Sequence, residues 1–509
     1  MPDPFVLAIG LTFVVGALGM LLGSAFQSGA LAGADWLTRL EVTTGGFKSL
    51  FFGEAAPYGP TAGKPVNRKL LYFAFQMCLM LVTGHALASS PPIARLVRRL
   101  ACAATTFRRG LLLVSGTACA MALVHWGLGL IVGAMIAREV GANLARNHVK
   151  HHYPLLGAAG YTGLMVWGGG LSGSIPLAAA GQKGIDINST LFSTTNLIIS
   201  GALLIAVPVF CSLLAGRDET AFVPFKDNGE SGEDEASERT EGGMAVFGTV
   251  ALLTLVADLW ANSLSGPGGI VTAIVNAIVV GAVGWRIFSL VSRKKEAADT
   301  PAARLENSEW IAIAICVVAL GQLEIEVLRG DFKLSLNNLN FLFLFAGLLF
   351  QGTPIRYVGA VSNAARGCAG IILQFPLYFG ILGIMIATGL GVVISTSMAQ
   401  AATEATYPIM TYFSAGLVNL FVPSGGGQWA VQGAIVIEGA NALAPQSAAL
   451  VSKSILALTY GDALTNMLQP FWAVPLLAIT GLRARDIIGY TAAIMVQGGA
   501  LTIALLLLL

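Results

Sequence analysis

The sequence predicts an all-α polytopic membrane protein built from two inverted repeats, each with a re-entrant hairpin and a broken helix. Three observations lead to this prediction. Of the 509 residues, 55% are hydrophobic and only 11% are charged, whereas soluble domains carry about 25% charged residues. Apolar segments long enough to cross a bilayer recur along the chain. Short motifs from the first third of the chain return, in the same order, about 300 residues later.

Nine apolar segments are predicted to span the bilayer, because a spanning helix needs about 20 apolar residues. They are 5–32, 70–90, 189–214, 244–263, 266–290, 310–328, 338–353, 368–397 and 486–508, of which 338–353 is marginal in length. Four further apolar regions are interrupted by Gly or Pro: 110–138, 153–180, 407–441 and 448–480. The first segment has no basic region before it and no small-residue cleavage site, which favours a retained helix over a signal peptide.

Clusters of Lys and Arg orient the chain, because cytoplasmic loops are enriched in these residues. The clusters lie at 95–109, 138–150, 286–295, 356–366 and 483–485. If all are cytoplasmic, region 110–138 begins and ends inside, which predicts a re-entrant hairpin with two limbs of about 15 residues and a tip at 124–129. Region 407–441 then begins and ends outside, with its tip at 423–427. The N-terminus is predicted to be cytoplasmic and the C-terminus to lie outside.

The internal repeat divides the chain into a first repeat, 1–214, and a second repeat, 310–509. The matching pairs are QMCLMLVTGHAL (76–87) with QFPLYFGILGIM (374–385), HWGLGLIVGAMIAREVGAN (125–143) with GGGQWAVQGAIVIEGAN (425–441), and PLAAAG (176–181) with PLLAITG (475–481). Between the repeats lie an acidic cytoplasmic linker, 215–243, an added two-helix hairpin, 244–290, and a polar cytoplasmic linker, 291–309. Inverted repeats with broken helices are typical of secondary transporters, whose sites lie near the bilayer midplane.

Seven longer motifs resemble the bacterial short-chain fatty acid transporter family, of the type that takes up acetoacetate and butyrate. They are FQMCLMLVTGHALASS, HWGLGLIVGAMIAREV, YPLLGAAGYTGLMVWGGGLSGSIPL, NNLNFLFLFAGLL, GIILQFPLYFGI, FVPSGGGQWAVQG and QPFWAVPLLAITGLRARDIIGY. The resemblance covers nearly the whole chain except two insertions, near 52–67 and at 244–290. It implies a multi-pass carrier of small monocarboxylates in the bacterial inner membrane.

Through the wider ion-transporter superfamily, the resemblance also implies an elevator mechanism with a scaffold part and a transport part. Two departures leave the exact substrate open. The tip reads His125-Trp126-Gly127 where the family has Asn-Trp-Gly, and Asp462 stands where a Glu is expected.

The two hairpin tips supply most of the predicted substrate site. Half-helix N-termini offer N–H donors that suit a carboxylate, and glycine lets the backbone approach a ligand closely. The predicted substrate-binding residues are His125, Trp126, Gly127, Gly129, Ser172, Ser174, Ser424, Gly425, Gly426, Gly427 and Gln428. His125 would hydrogen-bond the carboxylate or accept a proton, and Trp126 would form an apolar wall.

Packing roles remain open for the same tip residues. His125 is also consistent with a neutral packing residue, Trp126 with the core, and the Gly-rich tip with a tight turn between helices. A nucleotide-binding loop is disfavoured because the GxxxxGK[ST] pattern is absent.

The broken helices supply the predicted ion-coupling site, because carbonyl groups freed at such breaks coordinate ions. The residues are Gly168, Gly169, Gly170, Asp462, Asn466 and Gln469. Asp462 is predicted to carry a proton or bind Na⁺, since a carboxylate inside an interrupted apolar segment is costly without a role or a partner. The alternatives are a kink that only serves helix packing and an Asp462 that lies nearer an interface. No cofactor or metal is predicted apart from Na⁺ as a coupling ion.

The predicted function is that of a secondary active transporter, not an enzyme, for uptake of acetoacetate, butyrate and similar monocarboxylates by H⁺ or Na⁺ symport. The expected partners are the monocarboxylate, the coupling ion and the lipid bilayer; a homodimer is left open, and nucleic acid is not expected. A carrier of a dicarboxylate or another small organic anion is the main alternative. The absence of Arg and Lys from both tips favours a single carboxylate. HExxH and GxSxG motifs are missing, which disfavours an enzyme, and the inverted repeats disfavour a channel.

Overall fold

The computed structural model describes residues 4–27, 31–52, 69–180, 185–216, 222–225, 280, 281, 284, 300–329, 336–421, 425–445 and 447–509. These residues form helices and no strand. Five helical segments among them are long and apolar enough to cross a membrane: Phe107–Val124, Trp126–Arg146, Thr194–Leu213, Pro354–Thr388, which includes a 3-10 turn, and Ala484–Leu508. The prediction of an all-α polytopic membrane protein is therefore confirmed. Nearly all of the predicted added hairpin, 244–290, most of the linker 215–243 and residues 291–299 of the second linker lie outside the described residues.

In chain order the described helices are α1 (Pro4–Leu22), α2 (Ser24–Gln27), α3 (Trp36–Phe52), α4 (Lys69–Ala88), α5 (Pro91–Cys102), α6 (Phe107–Val124), α7 (Trp126–Arg146), α8 (Tyr153–Tyr161), α9 (Gly163–Val166), α10 (Ser174–Ala179), α11 (Ile187–Thr190), α12 (Thr194–Leu213), α13 (Pro301–Glu306), α14 (Glu309–Leu328), α15 (Leu336–Gln351), α16 (Pro354–Ala365), α17 (Ala369–Thr388), α18 (Leu390–Gln400), α19 (Tyr407–Asn419), α20 (Gly425–Leu443), α21 (Ala448–Thr465), α22 (Pro470–Thr480) and α23 (Ala484–Leu508). Three 3-10 turns lie at Trp167–Gly169, Arg366–Cys368 and Asn466–Leu468.

The chain forms two compact units. The first comprises Met1–Met77, Leu100–Phe225 and Ala369–Leu509, and the second comprises Cys78–Arg99 and Lys226–Cys368. In the second unit, α14 packs against α15 through a core around Ile313, Cys316 and Leu349. Both predicted hairpins and both predicted broken helices belong to the first unit, which therefore holds every described residue of the candidate site.

Two predicted spans are shorter than the sequence suggests, and their interruptions are in contact with each other. Segment 5–32 ends its first helix at Leu22, and segment 368–397 is divided at Gly389. Gly389 has a φ of 69°, a left-handed conformation that glycine adopts without a Cβ penalty. The two interruptions lie against each other, since Ser24 Oγ donates a hydrogen bond of 3.3 Å to Gly389 O.

In the first hairpin, α6 and α7 run antiparallel, with Gly129 packed on Ala122 and Gly110 packed on Val140. Its limbs have 18 and 21 residues, longer than expected, because the helices continue into their basic ends. An antiparallel pair returns the chain to its starting side whether the tip stops within the bilayer or crosses it. The orientation predicted from the basic loops is therefore independent of limb length.

In the second hairpin, α19 and α20 also run antiparallel. Tyr407 Oη donates a hydrogen bond of 3.1 Å to Val436 O, and Gln428 Nε2 donates one of 2.8 Å to Ala415 O. Residues 422–424 of the tip, which include the predicted site residue Ser424, lie outside the described residues.

The two interrupted helices have local causes in the sequence. The first consists of α8 and α9, the turn Trp167–Gly169 and α10, and the interruption coincides with a run of glycines, which are poor helix formers. The second consists of α21, the turn Asn466–Leu468 and α22, and Pro470 is the first residue of α22. Proline has no N–H to donate to the preceding turn, so it suits a helix start and disfavours continuation.

Candidate functional site

The tip of the first hairpin is one extended residue, His125, between α6 and α7. Its Nδ1 accepts a hydrogen bond of 3.1 Å from Gly127 N–H, so the imidazole serves as the N-cap of α7. Asn, which the family resemblance predicts at this position, is among the residues that most favour an N-cap. His125 performs the same capping role, which gives a physical reason for the exchange. Because Nδ1 accepts, the neutral ring carries its proton on Nε2. The cap therefore leaves Nε2–H as the donor that His125 can offer to a ligand.

The first tip is joined to the first interrupted helix and to α22. Trp126 N–H donates to Ser172 Oγ at 3.0 Å, and Leu171 N–H donates to Leu123 O at 2.7 Å. The Trp126 ring meets the Trp472 ring edge to face, with centroids 5.4 Å apart. Predicted substrate residues from the tip and from the interruption, Trp126 and Ser172, are thus in direct contact.

Two carbonyl groups predicted to bind the ion already accept hydrogen bonds from protein donors. Asn196 Nδ2 donates to Gly169 O at 2.9 Å, and Gly173 N–H donates to Gly170 O at 2.9 Å. Asn196 is held in turn by Tyr460 Oη, which donates to its Oδ1 at 2.7 Å. Each carbonyl keeps a second lone pair, so these groups can still face an ion, and their role stays a prediction.

The second tip, α10 and α21 meet at Gly425. A Cβ added to Gly425 would collide with Ser174 Oγ, and it would lie 3.5 Å from Asp462 Oδ2. Asp462 is only 2% exposed, and neither its Oδ1 nor Ser174 Oγ has a hydrogen-bond partner among the described residues. A buried polar atom without a partner costs about 1–3 kcal/mol. Both atoms are therefore placed where a bound ligand would supply the missing interaction.

Asn419, at the end of α19, binds the second interruption and was not among the predicted site residues. Its fully buried Nδ2 donates to Asp462 O at 2.7 Å and to Thr465 Oγ1 and Asn466 Oδ1, each at 2.9 Å. Gln469 Nε2 returns a hydrogen bond of 2.6 Å to Asn419 O. The only local signal was an amide in an apolar run just before the Gly-rich tip. Asn419 fixes the positions of the predicted ion-coupling residues Asn466 and Gln469.

The first interrupted helix also holds the second interruption in place. Tyr161 Oη, on α8, lies 2.9 Å from both Asn466 O and Gln469 O, and can donate to either. The main-chain oxygens at this break therefore share a donor.

Several buried oxygens around the second tip and the second interruption have no hydrogen-bond donor among the described residues. They are Ser174 Oγ, Asp462 Oδ1, Asn419 Oδ1, Gln428 Oε1 and Gln469 Oε1. Carboxylate and amide oxygens are the ligands that hard cations prefer. No group of three or more His, Cys, Asp or Glu side chains that could hold a metal ion occurs within the described part of the chain. The Asp462 carboxylate can take up a proton, and the carboxylate and amide oxygens can bind a hard cation.

The helices and the site define a polytopic membrane protein with a buried polar centre between two hairpins and two interrupted helices. A family model described as "Short chain fatty acid transporter" matches residues 62–223 and 288–509. The unmatched interval 224–287 covers much of the predicted linker and added hairpin.

Two curated relatives match most of the chain, and both are named "Putative short-chain fatty acid transporter". The relative from Escherichia coli (strain K12) is 36% identical over 443 residues, covering 85% of this chain and 86% of its own. The relative from Haemophilus influenzae (strain ATCC 51907 / DSM 11121 / KW20 / Rd) is 33% identical over 436 residues and covers 83% of each chain. The chain therefore belongs to the short-chain fatty acid transporter family, and it is a transporter rather than an enzyme.

Among solved structures, the crystal structure of the Alcanivorax borkumensis YdaH transporter is 16% identical and covers 100% of this chain and 97% of that chain, with a TM-score of 0.34. A similarity at that level carries no argument about this fold.

Proposed function

We propose that this protein is a secondary active transporter that takes up short-chain fatty acids such as acetoacetate and butyrate by H⁺ or Na⁺ symport. The observation that carries the proposal is the convergence of Gly425, Ser174 and Asp462, which come from a hairpin tip and from both interrupted helices. Family membership supplies the class of substrate, and the convergence supplies a place where a cation and a carboxylate would lie close together.

The hydrogen-bond acceptors at this site suit the cation, and the donors suit the carboxylate. Asp462 and the amide oxygens of Asn419 and Gln469 lack donors, so they suit the cation. A carboxylate needs donors instead, and the first turn of α20 around Gly426 and the Nε2–H of His125 offer N–H groups. A cation bound beside the anion attracts it strongly where water is excluded, and each ligand then raises the affinity for the other.

The contacts of the two hairpins support inverted repeats and an elevator mechanism. Helix α7 packs against α22, and α20 packs against α10, so each second limb meets the interrupted helix of the other repeat. Leu123 O accepts a hydrogen bond from Leu171 N–H, and Asn419 O accepts one from Gln469 Nε2. The first helix of each hairpin thus ends in contact with the interruption of the broken helix in its own repeat. In the proposed cycle these four elements move together as the transport part.

The proposed location is the bacterial inner membrane, with the N-terminus and the linker 215–243 in the cytoplasm and the C-terminus outside. The distribution of Lys and Arg among the loops supports this orientation.

The test is accumulation of labelled butyrate or acetoacetate in proteoliposomes under an imposed Na⁺ or pH gradient. We expect accumulation above equilibrium with one of the two gradients and its loss in the variant Asp462→Asn. The matched control is Glu404→Gln, which removes a carboxylate from an exposed loop position and leaves uptake intact. Failure to accumulate either acid under both gradients would exclude symport. Equal competition by succinate would favour the dicarboxylate alternative.

A further inference from the structure

Residues 222–225, a described part of the predicted acidic linker, form a short strap along the connection between α7 and α8. Val223 N–H donates to His152 Nδ1 at 3.0 Å, and Phe225 N–H donates to His151 Nε2 at 3.0 Å. Tyr153 N–H donates in the other direction, to Val223 O at 2.8 Å. Two adjacent histidines thus hold the backbone of the strap.

The second nitrogen of each ring fixes its protonation state. His151 Nδ1 lies 2.8 Å from Val149 O, and His152 Nε2 lies 2.9 Å from Tyr490 Oη. Because one nitrogen of each ring accepts from the strap, the other carries the proton and donates to these oxygens. Both imidazoles must therefore be neutral while the strap is bound.

Aromatic contacts complete the attachment of the strap. Phe222 packs edge to face on Phe107 with centroids 5.5 Å apart, and Phe225 packs edge to face on Tyr153 at 5.0 Å. These two contacts do not change with pH in the neutral range, so the two histidines, including the ring contact of His152 with Phe222 at 5.9 Å, are the part of the attachment that responds to protons.

We propose that His151 and His152 form a proton-binding site that releases the strap when it is protonated, and that release lowers transport. A protonated imidazole has no acceptor, so each ring would then turn a positive N–H toward a backbone N–H. The strap also supports the interrupted helices: Val223 O accepts from the first N–H of α8, and Tyr153 Oη donates to Thr480 O, at the end of α22, at 2.9 Å. The effect on transport rests on the proposed function.

The surroundings of the two rings favour the neutral form. Burial lowers the pKa of His151, against a smaller opposing effect of its hydrogen bond to Val149, and burial together with the nearby His151 lowers the pKa of His152.

Other titratable groups face this region from the elements packed around it. Tyr490 on α23 contacts His152. Arg138 and Glu139 on α7 have opposite electrostatic effects on the Tyr153 hydroxyl. His148 and Lys150 lie on the same connection as the two histidines. Because the neighbouring charges are of both signs, burial remains the main cause of the lowered values.

The direction of the pH effect follows from linkage. A released histidine titrates near its ordinary pKa of about 6.5, and the bound ring titrates lower. The strength of strap binding is therefore greatest above about pH 6.5, and it falls by up to about tenfold per pH unit for each histidine between that value and the lowered pKa of the bound ring. Two histidines acting together weaken it by up to about a hundredfold per pH unit. A membrane protein that imports acids would thus slow down when the side bearing the strap becomes acidic.

The binding test is backbone hydrogen exchange on the full chain in nanodiscs, corrected for intrinsic exchange rates. We expect the protection of the Val223 and Phe225 amides to fall at least tenfold between pH 7.5 and pH 5.5. The control variant is His151→Gln/His152→Asn, because Gln Oε1 and Asn Oδ1 replace the accepting Nε2 and Nδ1 without titrating. Its protection should not change with pH. Equal protection of the wild-type strap at both values, or an equal fall in the variant, would overturn the proton-binding site.

The transport test compares uptake by the same variant and the wild type under identical gradients. The ratio of variant to wild-type uptake should be near one at pH 7.5 and rise several-fold at pH 5.5 on the strap side. Because both proteins experience the same gradients, the ratio cancels any effect of pH on the driving force. A ratio of one at both values would overturn the regulatory role. If neither protein transports butyrate, the proposed substrate is wrong, and hydrogen exchange still decides whether the histidines bind the strap.

Discussion

The two adjacent glycines at the second tip, Gly425 and Gly426, differ in their surroundings. Substitutions at the two positions therefore test protein packing and ligand binding separately. A Cβ added at Gly426 would have no atom of the described residues within 4 Å, whereas one added at Gly425 would collide with Ser174 Oγ. We expect Gly426→Ala to weaken substrate binding without harming the fold. Gly425→Ala is expected to act through Ser174 instead.

The size of each effect follows from the geometry. Alanine in place of glycine in a helix stabilises by up to about 1 kcal/mol, and no contact offsets this gain at Gly426. At Gly425 overpacking costs about 1–3 kcal/mol, at the lower end because the Ser174 hydroxyl can rotate away. For transport, a methyl group in front of Gly426 would disrupt a charge-assisted hydrogen bond worth about 1.5–3 kcal/mol. That loss corresponds to a roughly 10- to 100-fold higher KM.

The assay is the initial rate of labelled butyrate uptake in proteoliposomes, combined with the thermal midpoint of each purified variant. We expect Gly426→Ala to raise KM while its midpoint stays equal to or above that of the wild type. The double variant Ser174→Ala/Gly425→Ala should be no worse than Ser174→Ala alone, since coupled residues are not additive. A Gly426→Ala protein with wild-type KM and rate would refute substrate binding at this tip.

Three further substitutions test the hydrogen bonds and the packing around the site. Asn419→Ala should lower stability by about 2–3 kcal/mol, because buried oxygens at the second interruption lose their donor, and a thermal melt measures the loss. His125→Asn should keep the N-cap and uptake within a few-fold, whereas His125→Ala should lose about 1 kcal/mol and most uptake. Gly160→Ala should destabilise by about 1–3 kcal/mol, since its Cβ would lie 2.6 Å from Gly133 O, and its thermal midpoint should fall.

Each of these predictions has a matched control or a contrary outcome. Asn307→Ala removes an exposed amide and should change stability by less than about 0.5 kcal/mol. Gly201→Ala adds a methyl group with nothing within 4 Å, so its thermal midpoint should not fall. Complete loss of uptake in a stable His125→Asn protein would mean that the asparagine amide cannot replace the Nε2–H donor of the imidazole.

Features of the site with local causes were predictable from the sequence. The interruption before Pro470 and the one within Gly168–Gly170 follow from residue types that disfavour helix wherever they occur. The family was also recognisable, because its motifs are long and continuous in the chain.

Features that depend on distant contacts were not predictable. The amide of Asn419 finds partners that are 43 to 47 residues away, so its role appears only after folding. The early end of α1 lies against the interruption at Gly389, with a hydrogen bond between residues that are 365 positions apart. The imidazole of His125 was predicted as a ligand group, and its Nδ1 also caps the start of α7, which residue type alone does not reveal.

The buried oxygens around Asp462 that lack a hydrogen-bond donor among the described residues have a consequence for the order in which the cation and the acid bind in the proposed cycle. An anion that arrives first would face Asp462 Oδ1 and the amide oxygens with no cation between them, and like partial charges would repel it. The cation must then enter before the acid and leave after it or with it. Such a carrier would bind its two ligands in a fixed sequence, with the cation before the acid.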